Sequence, residues 1–195
     1  MEIDLDYPPG ATPLDPDEAA GLIPAHITTQ GQLNEWELAN ITEGERWAFS
    51  RKRKTLLGIE FVRNLHKRMF GNTWRWAGTF RTTEKNIGVD PARIQPMLVD
   101  LCEDVKAQLA HASYSIDEIA ARFSHRLVSI HPFANGNGRF SRTMADLLLV
   151  QNGAERFSWG AGNLVDLGDA RRRYLDALRA ADARDYRPLL AFVRS

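Results

Sequence analysis

From Thr29 to the C-terminus, apolar residues recur at three- and four-residue steps, which is the spacing of residues along one face of an α-helix. The first of these stripes combines Leu33, Trp36, Asn40, Glu43 and Trp47. Stripes of this kind become buried when helices pack against one another. The spacing therefore predicts an all-α fold.

Further stripes and helix-end signals predict the remaining helices. They are expected over residues 56–70, from Pro91 to Leu109, from Ser115 to Ile130, from about Gly138 onward, and in two C-terminal segments capped by Asp169 and Asp185. Ser115 and Glu118 form a capping-box pair, and Pro132 prevents that helix from continuing.

Two segments depart from the helical pattern. Phe80–Thr83 favours extended structure and Gly88 favours a turn, so a small β-hairpin is expected within residues 78–90. Residues 1–28 carry scattered prolines and acids. We expect them to form a lead-in that lies across the surface, with a short turn at Asp15–Gly21.

Length and composition exclude several classes of protein. At 195 residues the chain suits one domain with a modest extension, and its 25 basic and 25 acidic residues cancel. No overall field therefore favours nucleic acid or an anionic membrane surface. The acidic start is unlike a signal peptide, and the single cysteine, Cys102, lies on an apolar helix face. We expect a cytoplasmic protein without an internal disulfide.

The segment His131-Pro-Phe-Ala-Asn-Gly-Asn-Gly-Arg-Phe-Ser-Arg142 carries the most chemical information. Gly136 and Gly138 permit a tight turn and a close approach to a ligand. The first amides of the next helix lack internal partners and lie at the positive end of its dipole, so they attract phosphate oxygens. Arg139 and Arg142 share one face of that helix and suit successive phosphates.

Two further side chains complete this constellation. The Asn135 amide oxygen suits Mg²⁺, and His131 titrates near neutral pH, where an imidazole can take a proton from a hydroxyl. Each feature alone is most often structural, but their order at one helix–loop–helix junction indicates phosphoryl-type transfer. The other histidines, His26, His66, His111 and His125, do not lie beside a glycine-rich loop, so we expect no catalytic role for them.

The segment resembles the signature of the Fic (Fic/DOC) family, His-x-Phe-x-(Asp/Glu)-Gly-Asn-Gly-Arg-x-x-Arg. Trp76–Arg81 is similar to the family's approach to a hairpin called the flap, and Tyr174 to Leu189 is similar to its domain ending. The layout is most similar to the subfamily named mobile mystery protein B. The resemblance implies an N-terminal extension over residues 1–54 and a Fic catalytic domain over residues 55–195, with a helical bundle and a small β-hairpin flap.

Fic proteins typically use ATP and Mg²⁺ to transfer AMP to a tyrosine, serine or threonine hydroxyl of a target protein. The resemblance implies that His131 is the general base, that Asn135 occupies the metal position, and that Phe133 packs under the loop. The implied phosphate-binding residues are Gly136, Asn137, Gly138, Arg139 and Arg142. The implied target-docking flap consists of Thr82, Thr83, Glu84, Lys85, Asn86, Ile87 and Gly88.

One position departs from the family signature, and the resemblance also implies partners. Asn135 stands where the family has Asp or Glu, and a neutral oxygen should bind Mg²⁺ more weakly. The implied partners are a target protein docked through the flap, a small DNA-binding companion protein, and further copies of the chain in a homo-oligomer. Direct binding to nucleic acid or membrane is not expected.

Glu43 falls on the first apolar stripe, where a carboxylate needs either a cationic partner or a path to water at the edge of the stripe. Many Fic proteins carry an inhibitory helix with the motif (Ser/Thr)-x-x-x-Glu-(Gly/Asn). Ala39 to Gly44 matches its Glu-Gly end but lacks the hydroxyl residue. The resemblance therefore implies an autoinhibitory pair between Glu43 and Arg142.

Several activities remain open at this point. The leading interpretation is a protein adenylyltransferase, and removal of AMP is an alternative because some relatives use the inhibitory glutamate for it. A kinase-like transfer of the γ-phosphate is disfavoured by the intact Gly138. A nucleotide-binding regulatory module without turnover and a toxin-like component are the remaining alternatives.

Overall fold

The structure, a computed structural model, describes residues 12–161, 164 and 168–195. Over these residues the chain forms eight α-helices and two short 3₁₀ segments, which confirms the predicted all-α class. The helices are α1 (Pro16–Ala19), α2 (Gln30–Phe49), α3 (Ile59–Phe70), α4 (Ile94–Ala110), α5 (Ile116–Ile130), α6 (Asn137–Gln151), α7 (Asp169–Asp182) and α8 (Arg187–Val193).

Most predicted helix ends are confirmed. A 3₁₀ turn at Pro91–Arg93 leads into α4. The Ser115 hydroxyl accepts a hydrogen bond from the Glu118 amide at 3.2 Å, which caps α5. The Asp185 carboxylate accepts the Arg187 amide at 3.1 Å at the start of α8, although α7 is preceded by Gly168 rather than capped by Asp169.

The core is centred on α5 and α6, which pack against each other along their length. Phe123 and Leu127 of α5 and Phe140 and Met144 of α6 are fully buried. Helix α4 and helix α8 pack against α5, while α2 pairs with α3 and α7 pairs with α8. Each large side chain in this core contributes about 1.5–3 kcal/mol to folding, so the α5–α6 pair is firmly anchored.

Cys102 is buried on α4 among apolar neighbours, and burial raises the pKa of its thiol. This agrees with the predicted core position of the cysteine. None of the helices in the described ranges is long and apolar enough to cross a membrane.

The inward face of α2 differs from the predicted one. Its buried residues are Leu33, Glu37, Asn40, Ile41, Gly44 and Ala48. At Gly44 a Cβ atom would lie 2.8 Å from the Met69 Cα atom, so α2 and α3 approach closely only where α2 carries a small residue. Trp36 is 39% exposed beside this contact, and Glu43 is exposed as well.

Residues 79–90, called the flap below, form an irregular loop rather than the predicted β-hairpin. The Arg81 amide donates to the Pro132 carbonyl at 3.0 Å, and the Val89 amide donates to the Ile130 carbonyl at 3.3 Å. The two ends of the flap therefore pair with the end of α5 instead of with each other. Within the described residues, the one β-bridge joins Leu22 to Trp74.

Residues 12–22, called the strap below, lie across the surface of the bundle and contain α1. The Arg75 amide donates to the Gly21 carbonyl and the Trp76 indole donates to the Glu18 carbonyl, both at 2.9 Å. The predicted surface lead-in with a turn at Asp15–Gly21 is confirmed for these residues. The earlier part of that prediction lies outside the described residues.

Candidate active site

His131 lies at the C-terminal end of α5, where Pro132 stops the helix. Its backbone adopts φ 54° and ψ 61°, a left-handed conformation that is uncommon for a residue with a side chain. Gly88 of the flap packs closely against it, since a Cβ atom on Gly88 would lie 2.8 Å from the His131 Cβ atom. The turn therefore directs the imidazole toward the flap.

The His131 imidazole is buried and faces a hydroxyl group. Its Nε2 atom lies 3.1 Å from Oγ1 of Thr12 in the strap. Burial lowers the pKa of His131 to about 4, and the positive charges of Arg81 and Lys85 act in the same direction. The imidazole is therefore neutral at pH 7 and can accept a proton from a hydroxyl group.

Residues 132–136, called the motif loop below, are held by aromatic packing from beneath. The Phe133 ring is fully buried and stacks on the His66 ring with centroids 3.7 Å apart. The Asn137 side chain accepts the Phe133 amide at 3.0 Å and donates to the Phe133 carbonyl at 2.8 Å. Gly136 has φ +79°, and a Cβ atom there would lie 2.5 Å from the Phe70 ring. The loop is therefore fixed by shape as well as by hydrogen bonds.

His66 joins this loop to the start of the flap. Its Nδ1 atom accepts the Gly78 amide at 3.1 Å, so the ring proton is on Nε2, which donates to the Asn135 carbonyl at 3.0 Å. Burial lowers the pKa of His66 to about 3, which keeps the ring neutral. The ring thus ties the motif loop, through Nε2, to the residue before the flap, through Nδ1.

The N-terminus of α6 presents backbone amides that suit an anion. The first hydrogen bond within α6 runs from the Phe140 amide to the Gly136 carbonyl at 2.9 Å. The amides of Asn137, Gly138 and Arg139 precede it and lie at the positive end of the helix dipole. A Cβ atom on Gly138 would meet nothing closer than Arg142 Nη1 at 3.7 Å, so a ligand can approach the backbone there.

Three arginines surround this helix end. Arg139 and Arg142 project from α6, and Arg171 of α7 lies near them. Burial is the main cause that lowers the pKa of Arg171, and the positive charges of Arg142 and Arg139 lower it further. The Arg142 guanidinium lies over the Tyr174 ring, 5.7 Å from its centroid. This concentration of positive charge is of the kind that binds successive phosphates.

A buried carboxylate of α2 reaches one of these arginines. Glu37 Oε2 lies 2.5 Å from Arg139 Nη1, and Glu37 Oε1 accepts the Trp74 indole N–H at 2.7 Å. The Glu37 side chain is only 6% exposed, so the pair is well shielded from solvent. A phosphate that binds Arg139 has to compete with this carboxylate.

The flap side of the site is held by charged groups. Buried Arg81 donates to the carbonyls of His131, at 2.7 Å, and Thr83, at 2.8 Å. The Lys85 side chain is 3% exposed and pairs with Asp15, at 2.9 Å, and with Glu18 of the strap. The other predicted flap residues, Thr82, Thr83, Glu84, Asn86, Ile87 and Gly88, are exposed.

The α5–α6 junction lies within a segment that matches a known protein family. Residues 56–149 match the model of the Fic/DOC family. These residues form a Fic/DOC domain.

Relatives and solved structures agree with this assignment. The chain is 28% identical over 144 residues to protein adenylyltransferase fic-1 of Caenorhabditis elegans, covering 70% of this chain and 26% of that protein. The fold is similar to the N-terminal Fic domain of a VirB-translocated effector from Bartonella quintana, with a TM-score of 0.69 and 19% identity, over 87% of this chain and 84% of that one. A structure of such a B. quintana domain with bound ADP has a TM-score of 0.67 and 18% identity, over 87% and 86% of the two chains. The chain thus spans about a quarter of the length of its C. elegans relative.

The Fic domain brings together most residues that the sequence singled out. His131, Asn135, the glycines and both motif arginines lie at the α5–α6 junction, and the flap and strap lie over His131. Within this arrangement Arg139 has a carboxylate partner, whereas no carboxylate of the described residues lies within ion-pair distance of Arg142.

The predicted Glu43–Arg142 pair is not formed. Glu43 is exposed, and its Oε2 atom accepts a hydrogen bond from the Asn72 amide group at 3.4 Å. The physical reason is the orientation of α2, because the close contact at Gly44 turns Glu37 inward and Glu43 outward. The carboxylate that meets the motif is therefore Glu37, and the arginine it meets is Arg139.

The Asn135 side chain at the predicted metal position is engaged in hydrogen bonds. Its Oδ1 atom accepts the Gly136 amide at 2.5 Å, and its Nδ2 atom donates to the Thr12 carbonyl at 3.4 Å. No cluster of three metal-ligating side chains occurs in the part of the chain that the structure describes. One engaged, neutral oxygen does not make a Mg²⁺ site, so the protein residues alone do not fit a resident metal ion.

Sequence reasoning missed four residues of this site. His66 was not predicted to belong to the site, although it lies seven residues after Ile59 in a strongly amphipathic helix. Arg81 was named only within the segment that leads into the flap. Glu37 had a usable signal, because Gly44 and Ala48 share its face of α2 and mark a close helix contact. Nothing in the sequence pointed to Thr12.

Proposed function

We propose that this chain is a Fic-type protein adenylyltransferase that transfers AMP from ATP to a tyrosine, serine or threonine hydroxyl of a target protein, in the cytoplasm. The observation that carries the proposal is the Thr12 hydroxyl, which lies 3.1 Å from the neutral Nε2 atom of His131, beside an anion-binding helix end. The names of the adenylyltransferase relatives support the same reaction.

Each motif residue has a role in this reaction. His131 accepts the proton of the attacking hydroxyl at Nε2, because its lowered pKa keeps it neutral. The amides of Gly136, Asn137 and Gly138 and the guanidinium of Arg139 hold the α- and β-phosphates, and Arg142 holds the γ-phosphate.

The bonds change as follows. The hydroxyl oxygen forms a bond to the α-phosphorus of ATP while the bond from that phosphorus to the bridging oxygen breaks, and diphosphate leaves. The hydroxyl proton passes to His131. The site contributes position and charge neutralisation, which are the main requirements of phosphoryl-type transfer. Mg²⁺ would enter with the nucleotide, and Asn135 would contribute at most one oxygen to it.

The target protein would dock through residues 82–88. Ile87 is 44% exposed at the tip of the flap, and the exposed backbone of this loop can pair with an extended segment of a target. A small DNA-binding companion protein and self-association are further proposals, and the chain's resemblance to mobile mystery protein B supports the companion.

Autoinhibition would act through Glu37. Its carboxylate holds Arg139 away from phosphate oxygens and is itself held by Trp74. Release of this carboxylate should strengthen nucleotide binding, since phosphate no longer competes for the guanidinium. In this proposal α2 is the inhibitory helix, and the inhibitory residue is Glu37.

A second candidate is a nucleotide-binding module without turnover. It is favoured by Asn135, whose single side-chain oxygen is neutral and already accepts the Gly136 amide. Such a module would bind ATP through the same helix end and arginines but would form no covalent product.

The test is labelling with α-labelled ATP and Mg²⁺ in the presence of a bacterial lysate. The variants are wild type, Glu37→Gln, Glu43→Gln as the matched control on the same helix, and Glu37→Gln/His131→Ala. We expect labelled protein to rise at least about tenfold in Glu37→Gln, to stay unchanged in Glu43→Gln and to vanish without His131. ATP binding without labelled protein in any variant would favour the module, and label from γ-labelled ATP alone would replace AMP transfer by phosphate transfer.

A further inference from the structure

The strap places a hydroxyl of this chain where the proposed reaction needs one. Thr12 is buried at 7% exposure, and its Oγ1 atom is 3.1 Å from Nε2 of His131. Within the described residues, no other hydroxyl is hydrogen-bonded to this imidazole. The Thr12 carbonyl also accepts the Asn135 side chain at 3.4 Å, next to the amides at the start of α6.

Contacts between the flap and the strap residues that follow Thr12 hold it in this position. Lys85 pairs with Asp15, at 2.9 Å, and with Glu18, and the Thr83 hydroxyl donates to Asp15 at 2.7 Å. The Lys85 ammonium group also donates to the Pro13 carbonyl at 3.4 Å. The strap thus docks on the flap residues that would dock a target protein.

The later part of the strap is tied to the body of the domain by its backbone. Leu22 forms a β-bridge with Trp74, and the Arg75 amide donates a hydrogen bond to the Gly21 carbonyl. These two contacts fix the C-terminal end of the strap on the bundle. A tethered hydroxyl held near a base has a high effective concentration compared with a hydroxyl of a separate protein.

We infer that Thr12 is an acceptor site for intramolecular adenylylation, so that the chain modifies its own strap. This inference rests on the proposed function and names one of its substrates. The Thr12 oxygen forms a bond to the α-phosphorus of ATP, the bond to the bridging oxygen breaks, diphosphate leaves, and the Thr12 proton passes to His131 Nε2. The product is an AMP ester of Thr12.

The test uses the full chain with α-labelled ATP and Mg²⁺, in the wild-type and Glu37→Gln backgrounds so that the Glu37–Arg139 pair cannot mask it. Thr12→Val removes the hydroxyl and keeps the shape, Thr12→Ser keeps the hydroxyl, and Thr28→Val removes an exposed hydroxyl elsewhere. The label is mapped by mass spectrometry, and its rate is followed over a range of protein concentrations.

We expect AMP on position 12 in wild type, Thr12→Ser and Thr28→Val, at least about a tenfold loss of self-label in Thr12→Val, and no label in His131→Ala. The rate constant should not depend on protein concentration, because the reaction is intramolecular. His131-dependent label on lysate proteins or on other residues, with Thr12 unlabelled, would overturn this inference and leave the proposed function standing. If Thr12→Val instead increases labelling elsewhere, the strap only blocks the site and the inference is wrong. No His131-dependent label on the chain or the lysate would overturn both.

Discussion

The two sides of the cleft around His131 are held by different forces. On the α5–α6 side, the motif loop is fixed by packing of Phe133 on His66 and of Gly136 on Phe70. On the strap side, Lys85 and Arg81 bind carboxylates and carbonyls across the flap. Packing contacts depend on shape and are insensitive to pH and salt, whereas charged contacts respond to both.

This difference suggests a division of tasks. In the proposed reaction the α5–α6 side has to keep its geometry while phosphates bind, and close packing provides that rigidity. The strap side has to let an acceptor enter and leave, and the Asp15 carboxylate, whose side chain is 44% exposed, can exchange Lys85 for water at a lower cost in free energy than a buried ion pair can.

Gly136→Ala should be the most damaging change on the packed side. It places a Cβ atom 2.5 Å from the Phe70 ring at φ +79°, so strain and overpacking together should lower the free energy of unfolding by about 4 kcal/mol. Gly153→Ala is the matched control, because Gly153 has φ +80° with nothing within 4 Å of its Cβ position. Its expected loss is about 1 kcal/mol. Equal losses in urea denaturation would show that the Phe70 contact is not tight.

His66→Phe should lower the free energy of unfolding by about 3 kcal/mol, because it keeps the stacking on Phe133 but leaves the Gly78 amide and the Asn135 carbonyl without their partner. Exposed His111 provides the control, and His111→Phe should cost less than about 0.5 kcal/mol. Thermal and urea denaturation measure both. A loss confined to the His111 variant would contradict the role of His66.

His131 should make stability depend on pH. Its pKa is about 4 in the folded chain and about 6.5 in the unfolded chain, so below pH 6.5 the unfolded chain binds the proton first. The contribution is therefore complete above pH 6.5 and is lost as the pH falls toward 4. Between pH 7 and pH 5 the wild type should lose about 2 kcal/mol more than His131→Gln in urea denaturation. Parallel losses in the two proteins would mean that the imidazole is not shielded by the strap and the flap.

Lys85→Met should raise the pKa of His131 by about one unit. Removal of this ammonium group deprives Asp15 and Glu18 of their partner, which opens the strap, reduces the burial of the imidazole and removes a nearby positive charge. An NMR titration of the His131 ring measures the shift. Lys106→Met, at an exposed pair with Glu103 on α4, is the control and should leave that pKa unchanged. An unchanged pKa in both variants would show that packing holds the strap as well.

Local signals predicted the helices and the turn between α5 and α6 correctly. Pro132, Gly136 and the capping residue Ser115 act on the backbone within a few residues, and the structure has its turns and helix ends at those positions. The resemblance to the Fic/DOC family was carried mainly by the segment from His131 to Arg142, and the family model matches residues 56–149 around it. These features could be read from sequence because the forces that produce them are local.

Two other predictions were wrong because they depended on distant partners. The hairpin was expected from extended-type residues, but Arg81 and Val89 donate their backbone amides to the end of α5, about 40 to 50 residues away in sequence. The inward face of α2 was assigned from the spacing of Leu33, Trp36 and Trp47, although Gly44 is what allows α2 to approach α3.

The amino-acid sequence alone was sufficient to locate the helices, the turn at His131 and the start of α6, since adjacent residues impose them through backbone geometry and hydrogen bonding. The carboxylate that reaches Arg139 and the hydroxyl that reaches His131 could be identified only from the folded chain. Glu37 and Thr12 meet their partners across more than a hundred residues, and such meetings depend on how whole helices rotate and pack.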